Sequence, residues 1–130
     1  LRQLRPQARL YAAEVSTAAP LAAAVEAGRP VDIDHQRSFV DGIGGPVLFE
    51  RMWERTRPML EGSLLSSPDE IAAAIRLLVH QCAVVAEGAG AASVSAAMAG
   101  RAGTGKIVCI VSGGNIDAGV LRTILANETP

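Results

Sequence analysis

The chain has 130 residues, of which 49% are hydrophobic, 3% aromatic and 19% charged, and its formal net charge is -1. This composition predicts one modest globular domain, and the lack of a basic run argues against nucleic acid as a partner. No apolar run is long enough to span a membrane and no signal peptide is visible, so we expect a cytoplasmic chain without a membrane partner.

Much of the apolar content is alanine, which contributes little buried area per residue, so we expect a thin core that packs against something else. The chain begins with Leu1 instead of methionine, which suggests a fragment or a processed form. Cys82 and Cys109 lie in apolar surroundings without a disulfide-like framework, and both are predicted to be free thiols.

The first half of the chain predicts strands alternating with helices. A glycine followed closely by a proline, at Gly28 and Pro30, is typical of the end of a helix. The predicted elements, in chain order, are a strand at 9–15, a helix at 18–27, a loop at 31–46 with a candidate short strand at 38–40, and a helix at 47–59.

The second half carries clearer signals. Ser67 as N-cap, Pro68 at the first helical position and Glu70 three residues after the cap predict the start of a helix. Apolar residues then recur at helical spacing, at 71, 75, 78 and 79. The later predicted elements are an apolar run at 83–86, a small-residue helix at 91–99, a strand at 106–111 and a final amphipathic helix with apolar residues at 116, 120, 121, 124 and 125.

The strand at 106–111 sets the predicted fold class. Residues 107–111 read Ile-Val-Cys-Ile-Val, a continuous apolar run that is typical of a strand buried on both faces. Together with the alternation of strands and helices, it predicts an α/β fold in which part of a parallel sheet is flanked by helices.

The turn Ser112-Gly113-Gly114-Asn115 follows this strand, at the end where open parallel sheets bind ligands. The glycines allow another molecule to approach the backbone, and Asn115 can cap the final helix. Physics alone suggests an anion held by the N-terminus of that helix. An ordinary strand-to-helix turn explains the same four residues equally simply.

Glu87 is a second candidate, because it precedes a helix of glycine and alanine. Either its carboxylate interacts favourably with the helix N-terminus, or the small residues after it let a flat ligand lie close to the backbone. Gly42 belongs to a glycine-rich loop at 41–45, whose spacing matches neither standard phosphate-binding fingerprint. Standing alone, that loop is explained as a turn.

Five segments in order resemble the C-terminal part of the threonine dehydratases and serine racemases, which are fold-type II enzymes that use pyridoxal phosphate and are similar to the tryptophan synthase β subunit. The resemblance covers nearly all 130 residues, and five modest motifs in the same order are specific together. They are Tyr11-Ala12-Ala13-Glu14, Ser38-Phe39-Val40-Asp41-Gly42-Ile43, Ser67-Pro68-Asp69-Glu70-Ile71, Val85-Ala86-Glu87-Gly88-Ala89-Gly90-Ala91-Ala92 and Ile110-Val111-Ser112-Gly113-Gly114-Asn115-Ile116-Asp117.

The resemblance implies a cofactor site made of Ser112, Gly113, Glu87 and Gly42. In this family the serine that matches Ser112 hydrogen-bonds the pyridine nitrogen of the cofactor. A neutral hydroxyl there does not favour a protonated ring nitrogen, which suits β-elimination. The glutamate that matches Glu87 lies beside the ring, and the backbone around Gly42 lines the pocket.

The resemblance also implies where a metal would bind. The family's metal site uses a glutamate that matches Glu14, a main-chain carbonyl near Ala18 and an acid two residues further on. Pro20 stands at that last position, so no metal is predicted. Asp32 and Asp34 could join Glu14 around a cation, but surface acids explain them more simply.

The family's Schiff-base lysine and its glycine-rich phosphate loop both lie N-terminal to the matched segments. Lys106, the only lysine of the chain, corresponds to the start of the last core strand and does not match the catalytic lysine. We therefore expect residues 1–130 to be the C-terminal portion of the large pyridoxal-phosphate-binding domain. They should contain no catalytic residue and show no activity as this chain alone.

The parent enzyme implied by the resemblance is a lyase that converts threonine or serine to a 2-oxo acid and ammonia. Its expected partners are a small amino-acid substrate, the N-terminal portion of the same enzyme and further copies in a homo-oligomer. One alternative is a non-catalytic α/β domain that binds a small ligand or a partner protein through the Gly113-Gly114 turn. Another is a serine racemase or a different amino-acid lyase of the same fold.

Overall fold

The structure is a computed structural model that describes residues 3–130, in which five helices accompany a two-stranded parallel sheet. The predicted α/β class, with a parallel sheet flanked by helices, is confirmed. The elements in chain order are β1 (Tyr11–Val15), α1 (Pro20–Ala27), α2 (Glu50–Thr56), β2 (Gly62–Ser66), α3 (Pro68–Cys82), α4 (Gly88–Met98) and α5 (Ala118–Leu125).

The sheet pairs β1 with β2 in parallel, with Tyr11 opposite Gly62 and Val15 opposite Ser66. The strand predicted at 9–15 is confirmed as β1, whereas the sequence analysis does not predict β2. The sequence of β2, Gly-Ser-Leu-Leu-Ser, shows no alternation of apolar and polar residues that would reveal a strand. Because the two strands are parallel, their carboxyl ends meet at one edge, where Ser67 begins the connection to α3.

The helix α1 begins two residues later than the predicted start at 18. Pro20 occupies its first turn, where the missing N–H of proline costs no hydrogen bond and its fixed φ suits a helix. Gly28 ends the helix with φ 70°, a left-handed conformation that glycine adopts more readily than other residues.

The predicted start of α3 is confirmed in atomic detail. The Ser67 Oγ accepts a hydrogen bond from the Glu70 backbone N–H at 3.2 Å, and the Ser67 N–H donates to Glu70 Oε2 at 2.8 Å. Ile71, Ile75 and Leu78 are buried on one face of the helix. This face packs against α4, so α3 and α4 form the centre of the main core.

The helix α4 contributes small side chains to that core. It runs from Gly88 to Met98, slightly earlier than the predicted span of 91–99. Its buried residues are Gly88, Gly90, Ala91, Ala92, Ser95 and Ala96. Because these side chains are small, neighbouring segments can approach the backbone of α4 closely.

The segment between α1 and β2 is less regular than predicted. The candidate strand at 38–40 is wrong, because the Val40 N–H donates to Ser38 Oγ at 3.2 Å and not to a neighbouring strand. The helix predicted at 47–59 is present over the shorter range Glu50–Thr56. Its Trp53 is buried against Leu21 and Ala24 of α1 in a small second core.

The prediction of a buried strand at 106–111 is wrong for the described part of the chain. Residues 107–111 have no regular secondary structure, and Val108 and Ile110 are 86% and 72% exposed. A parallel strand needs a neighbour for its backbone hydrogen bonds, and no described segment pairs with residues 107–111 in a sheet. We refer to residues 107–111 below as the unpaired apolar segment.

The unpaired apolar segment is attached to α4 through Ser93. The Ser93 Oγ donates to the Ile110 carbonyl oxygen at 2.8 Å, and the Cys109 Sγ donates to the Ser93 carbonyl oxygen at 3.4 Å. Cys109 and the exposed Cys82 are both free thiols, as predicted. Among residues 3–130, no helix combines the length and the apolar character needed to cross a bilayer.

Candidate functional site

The candidate site lies where α4 begins. Glu87 immediately precedes the helix in an extended conformation, and its side chain does not cap the helix N-terminus. Its backbone N–H instead donates to the Gly113 carbonyl oxygen at 3.2 Å. This hydrogen bond places the Ser112-Gly113-Gly114 turn beside the first residues of α4.

The side chain of Glu87 lies against Gly113. Gly113 has φ 70°, and a Cβ built on it would overlap Glu87 Oε1 and lie 2.7 Å from the carboxylate carbon. The absence of a side chain at residue 113 therefore serves two purposes, because it allows the left-handed backbone and leaves room for the carboxylate.

The backbone of Ser112 presses against α4 at Gly90. A Cβ built on Gly90 would overlap the Ser112 carbonyl oxygen and lie 2.9 Å from that of Gly113. Glycine is needed there because the chain's own backbone approaches the helix. This corrects the hypothesis that the small residues after Glu87 admit a flat ligand: at Gly90, the space is filled by the 112–113 turn.

The loop that contains Gly42 reaches the same place from the opposite direction. A Cβ on Gly42 would lie 3.0 Å from the Cβ of Ala89 and 3.5 Å from Glu87 Oε1. Next to it, a Cβ on Gly88 would lie 2.9 Å from Val40 Cγ2. The Glu87 carboxylate is thus flanked by Gly42 and Gly113, two residues that are 71 positions apart in sequence.

The structure therefore brings together the four residues that the sequence analysis selects, namely Ser112, Gly113, Glu87 and Gly42. Glu87 is partly buried, whereas Ser112, Gly113 and Gly42 are exposed. Within residues 3–130 the Ser112 hydroxyl has no hydrogen-bonding partner, so it can donate to or accept from a bound molecule. The sequence analysis does not identify the contact of Gly90 with Ser112, for which a glycine inside a helix was the only local signal.

The expectation that Asn115 caps the final helix is wrong. Asp117 is the N-cap of α5, and its Oδ1 accepts hydrogen bonds from the N–H groups of Gly119 at 2.7 Å and Val120 at 3.1 Å. This carboxylate already satisfies the donors at the start of α5. An anion at that helix N-terminus, the simplest physical interpretation of the Gly113-Gly114 turn, is therefore not supported.

The other polar candidates do not join this site. Lys106 is exposed at the start of the unpaired apolar segment, whereas Ser112 follows its end. Glu14 is bonded to the beginning of α1 and to Ser63. In the part of the chain that the structure describes, no three His, Cys, Asp or Glu side chains are grouped as metal ligands would be.

The geometry suits a flat heteroaromatic ring with an acceptor at its edge. Gly42 and Gly113 leave no side chains beside the Glu87 carboxylate, and the Ser112 hydroxyl is exposed next to them. A hydroxyl at this place can hydrogen-bond a ring nitrogen without adding a charge. None of the four side chains is a nucleophile of the kind that forms covalent bonds to a carbonyl substrate, such as the amine of a lysine.

Comparison with known protein families agrees with this geometry. The sequence model of the family described as "Pyridoxal-phosphate dependent enzyme" matches residues 1–113. The chain belongs to this family. The match ends at Gly113, so it includes all four candidate site residues.

Curated relatives from several bacteria are similar to the chain. A protein of Sinorhizobium fredii, named only provisionally as a threonine dehydratase, is 33% identical over 96% of the chain. The biosynthetic L-threonine dehydratase of Bacillus subtilis is 33% identical over 94%, and the L-threonine ammonia-lyase of Thermotoga maritima is 29% identical over 96%. The chain spans 39%, 29% and 31% of the lengths of these three relatives.

Solved structures show the same fold. A threonine deaminase from the organism abbreviated T.th. has a TM-score of 0.82 and 28% identity over 89% of the chain and 42% of its own. Maize serine racemase has a TM-score of 0.82 and 25% identity, covering 96% of this chain and 41% of its own. The processed form of threonine deaminase isoform 2 from Solanum lycopersicum has a TM-score of 0.86 over 97% of this chain and 38% of its own, and at 23% identity it supports the fold alone.

Proposed function

We propose that residues 1–130 are the cofactor-facing C-terminal portion of the pyridoxal-phosphate-binding domain of a threonine or serine dehydratase. The observation that carries this proposal is the meeting of Gly42, Glu87, Ser112 and Gly113 at the beginning of α4. The names of the similar proteins, which include threonine dehydratases and an L-threonine ammonia-lyase, support the choice of reaction.

Each site residue has a distinct part in this proposal. Pyridoxal phosphate, when bound, supplies the electron sink for elimination of the substrate hydroxyl. The Ser112 hydroxyl hydrogen-bonds the ring nitrogen, and because it is neutral it does not stabilise a proton there. Glu87 holds its carboxylate beside the ring, while Gly42 and Gly113 keep that side of the ring free of side chains.

The chain does not perform the reaction alone in this proposal. The lysine that anchors the cofactor and the loop that binds its phosphate belong to the N-terminal portion of the enzyme. The unpaired apolar segment supports such a partner, because Val108 and Ile110 expose apolar surface that a neighbouring strand would cover. The complete enzyme is a cytoplasmic homo-oligomer that acts on a small amino acid.

A chimera tests this function. Residues 1–130 replace the segment that they match in the Thermotoga maritima L-threonine ammonia-lyase, and the purified protein is assayed for bound pyridoxal phosphate and for 2-oxobutanoate released from L-threonine. We expect both. Ser112→Ala in the chimera should lower turnover by about 10- to 100-fold, because it removes one hydrogen bond of about 1–3 kcal/mol in a site that excludes water.

The matched control is Ser16→Ala, which changes an exposed serine whose backbone N–H, not its side chain, bonds Ser66. It should leave turnover unchanged. Equal turnover in the Ser112→Ala chimera and in its parent would overturn the role of Ser112. A folded chimera that binds no pyridoxal phosphate would favour the non-catalytic binding domain instead, and so would tight cofactor binding by residues 1–130 alone.

A serine racemase is a second candidate because the maize enzyme of that name matches the chain over 96% of its length with a TM-score of 0.82. The two reactions differ in their products, since a racemase releases D-serine from L-serine whereas a dehydratase releases a 2-oxo acid and ammonia. Chiral chromatography of the products formed from L-serine by the natural full-length protein separates them. D-serine in excess of pyruvate would favour the racemase.

A further inference from the structure

The helix α1 begins without a capping side chain next to it in sequence. Ala19 is the N-cap residue and makes no side-chain hydrogen bond, and Pro20 follows it within the first turn. The first helical N–H groups that need an acceptor therefore belong to Leu21 and Ala22.

Glu14, at the fourth position of β1, supplies the missing acceptors. Its Oε1 accepts from the Leu21 N–H at 2.9 Å and its Oε2 accepts from the Ala22 N–H at 2.9 Å. Ser63 of β2 donates its hydroxyl to the same Oε2 at 2.6 Å. Glu14 is only 7% exposed, and three hydrogen bonds compensate for the burial of its charge.

The surroundings of Glu14 do not fit a divalent cation. The resemblance to the dehydratase family implies three ligands: Glu14, a carbonyl near Ala18 and an acid at position 20. Pro20 offers no side-chain oxygen. A Cβ built on Gly44 would overlap the Ala18 carbonyl oxygen and lie 2.6 Å from the Ala18 Cβ, so the 41–45 loop packs directly over that carbonyl.

Calcium and magnesium prefer about six or more oxygen ligands. Here one carboxylate is already engaged by three donors, and in residues 3–130 no further acid, histidine or cysteine completes a group of three around it. Both Glu14 oxygens point at hydrogen-bond donors, which a cation would have to displace.

We infer that Glu14 is an internal cap that joins β1, α1 and β2 and takes the place of the bound cation, so that this region folds and holds its shape without a metal. The cap also supports the candidate site, because Ala18 follows it in the chain and packs under Gly44, and the same loop brings Gly42 to Glu87. The inference concerns residues of this chain alone and does not depend on the proposed reaction.

The first experiment measures metal binding directly. Mn²⁺ is titrated into the 130-residue chain, and the electron paramagnetic resonance signal of free Mn²⁺ is recorded. We expect all added Mn²⁺ to remain free up to about 1 mM, the range in which even weak protein sites for hard cations fill. One Mn²⁺ bound per chain, and lost in Glu14→Gln, would overturn the inference.

The second experiment measures the thermal unfolding midpoint of the same chain in EDTA and in Mg²⁺. We expect the same midpoint in both. Glu14→Gln should lower it by about 5 °C or more, because the amide replaces one acceptor by a donor that faces helical N–H groups. Ser63→Ala should lower it by less, because it removes one of the three hydrogen bonds.

Glu26→Gln is the matched control, since it changes an exposed glutamate on the same helix and should leave the midpoint unchanged. A midpoint that rises in Mg²⁺, or equal midpoints for the two glutamine variants, would contradict the internal cap. If Glu14→Gln does not fold, amide hydrogen exchange of the unmodified chain decides. The Leu21 and Ala22 amides should stay protected in EDTA, and rapid exchange of both there would overturn the inference.

Discussion

Gly113 and Gly28 have the same backbone conformation and opposite surroundings. Both have φ 70°, but a Cβ on Gly28 would meet no atom within 4 Å, whereas one on Gly113 would meet the Glu87 carboxylate. The pair therefore allows the cost of a left-handed backbone to be separated from the cost of displacing Glu87.

We predict that Gly113→Ala destabilises the chain more than Gly28→Ala. Gly28→Ala should lower the free energy of unfolding by about 1–2 kcal/mol, the cost of a left-handed conformation for a residue with a Cβ. Gly113→Ala should cost this amount and also the displacement of Glu87. In a Glu87→Ala background the two substitutions should cost the same, as measured by urea unfolding; an excess cost at Gly113 that persists there would show that the carboxylate is not the obstacle.

At the scale of single residues, the sequence was enough to select Glu87, Gly42, Ser112 and Gly113, but only because five motifs occur in a specific order. The local pattern alone does not separate a site from a turn. It also assigned the cap of the last helix to Asn115, whereas the acceptor that meets the N–H groups is two residues later, at Asp117. Which carboxylate reaches which donor depends on the direction in which the backbone leaves the turn.

Among the elements, α3 has the most complete set of terminal interactions. The hydrogen bond that Arg101 donates to Glu70 Oε1 at 2.6 Å lowers the pKa of the Glu70 carboxyl from its ordinary value of 4.5, and the Ser67 backbone N–H lowers this pKa further. A carboxyl whose pKa is lower in the folded state stabilises the fold above its unfolded pKa. That contribution is lost as the pH falls through the folded value.

We therefore predict that Arg101→Met weakens the dependence of stability on pH below about pH 4.5, the ordinary pKa of Glu70. Above that pH the parent chain should be slightly more stable than the variant, because the pair is partly exposed and solvent screens it. The measurement is urea unfolding between neutral pH and acidic pH, below the ordinary pKa of Glu70. Arg37→Met, at an exposed arginine, is the control, and a steeper acid dependence in Arg101→Met would contradict the assignment.

Elements were predictable where the signal is local. The capping box and the apolar spacing of α3 are contained in consecutive residues, and the structure reproduces them. The strand β2 was missed because it is defined by its pairing with β1, about 50 residues earlier, and not by its own composition. The candidate strand at 38–40 failed for the converse reason, since Ser38 offers the Val40 N–H a local acceptor.

For the molecule as a whole, the unpaired apolar segment is the feature that the composition foreshadows. The alanine-rich core predicts a need for additional packing surface, and the structure exposes Val108 and Ile110 together with Val84 and Val85 of the 83–86 run. The fold class could be predicted from the alternation of elements. The exposure of residues 107–111 could not, because an apolar strand sequence does not show which chain provides its neighbour.

We predict that Val108→Lys has opposite effects on the isolated chain and on the chimera described above. In the isolated chain it should reduce self-association, measured by sedimentation velocity, because it places a charge on exposed apolar surface. In the chimera it should reduce the yield of folded protein, because burying an unpaired charge is unfavourable.

Val25→Lys, on the exposed side of α1, is the control and should change neither quantity. If Val108→Lys is tolerated in the chimera as well as Val25→Lys is, then no partner strand covers residue 108.

The composition of α4 has a consequence for how the site can change through mutation. This helix has almost no polar face to orient it towards solvent, so its position is determined by how closely Val40, Ser112 and α3 approach its small residues. Enlarging any of these residues moves Glu87, which stands at the start of the helix. The electrostatics of the site therefore tolerate less sequence variation along α4 than its plain glycine and alanine content suggests, and adaptation to a different substrate is easier to reach through the exposed loop at 41–45 than through the helix.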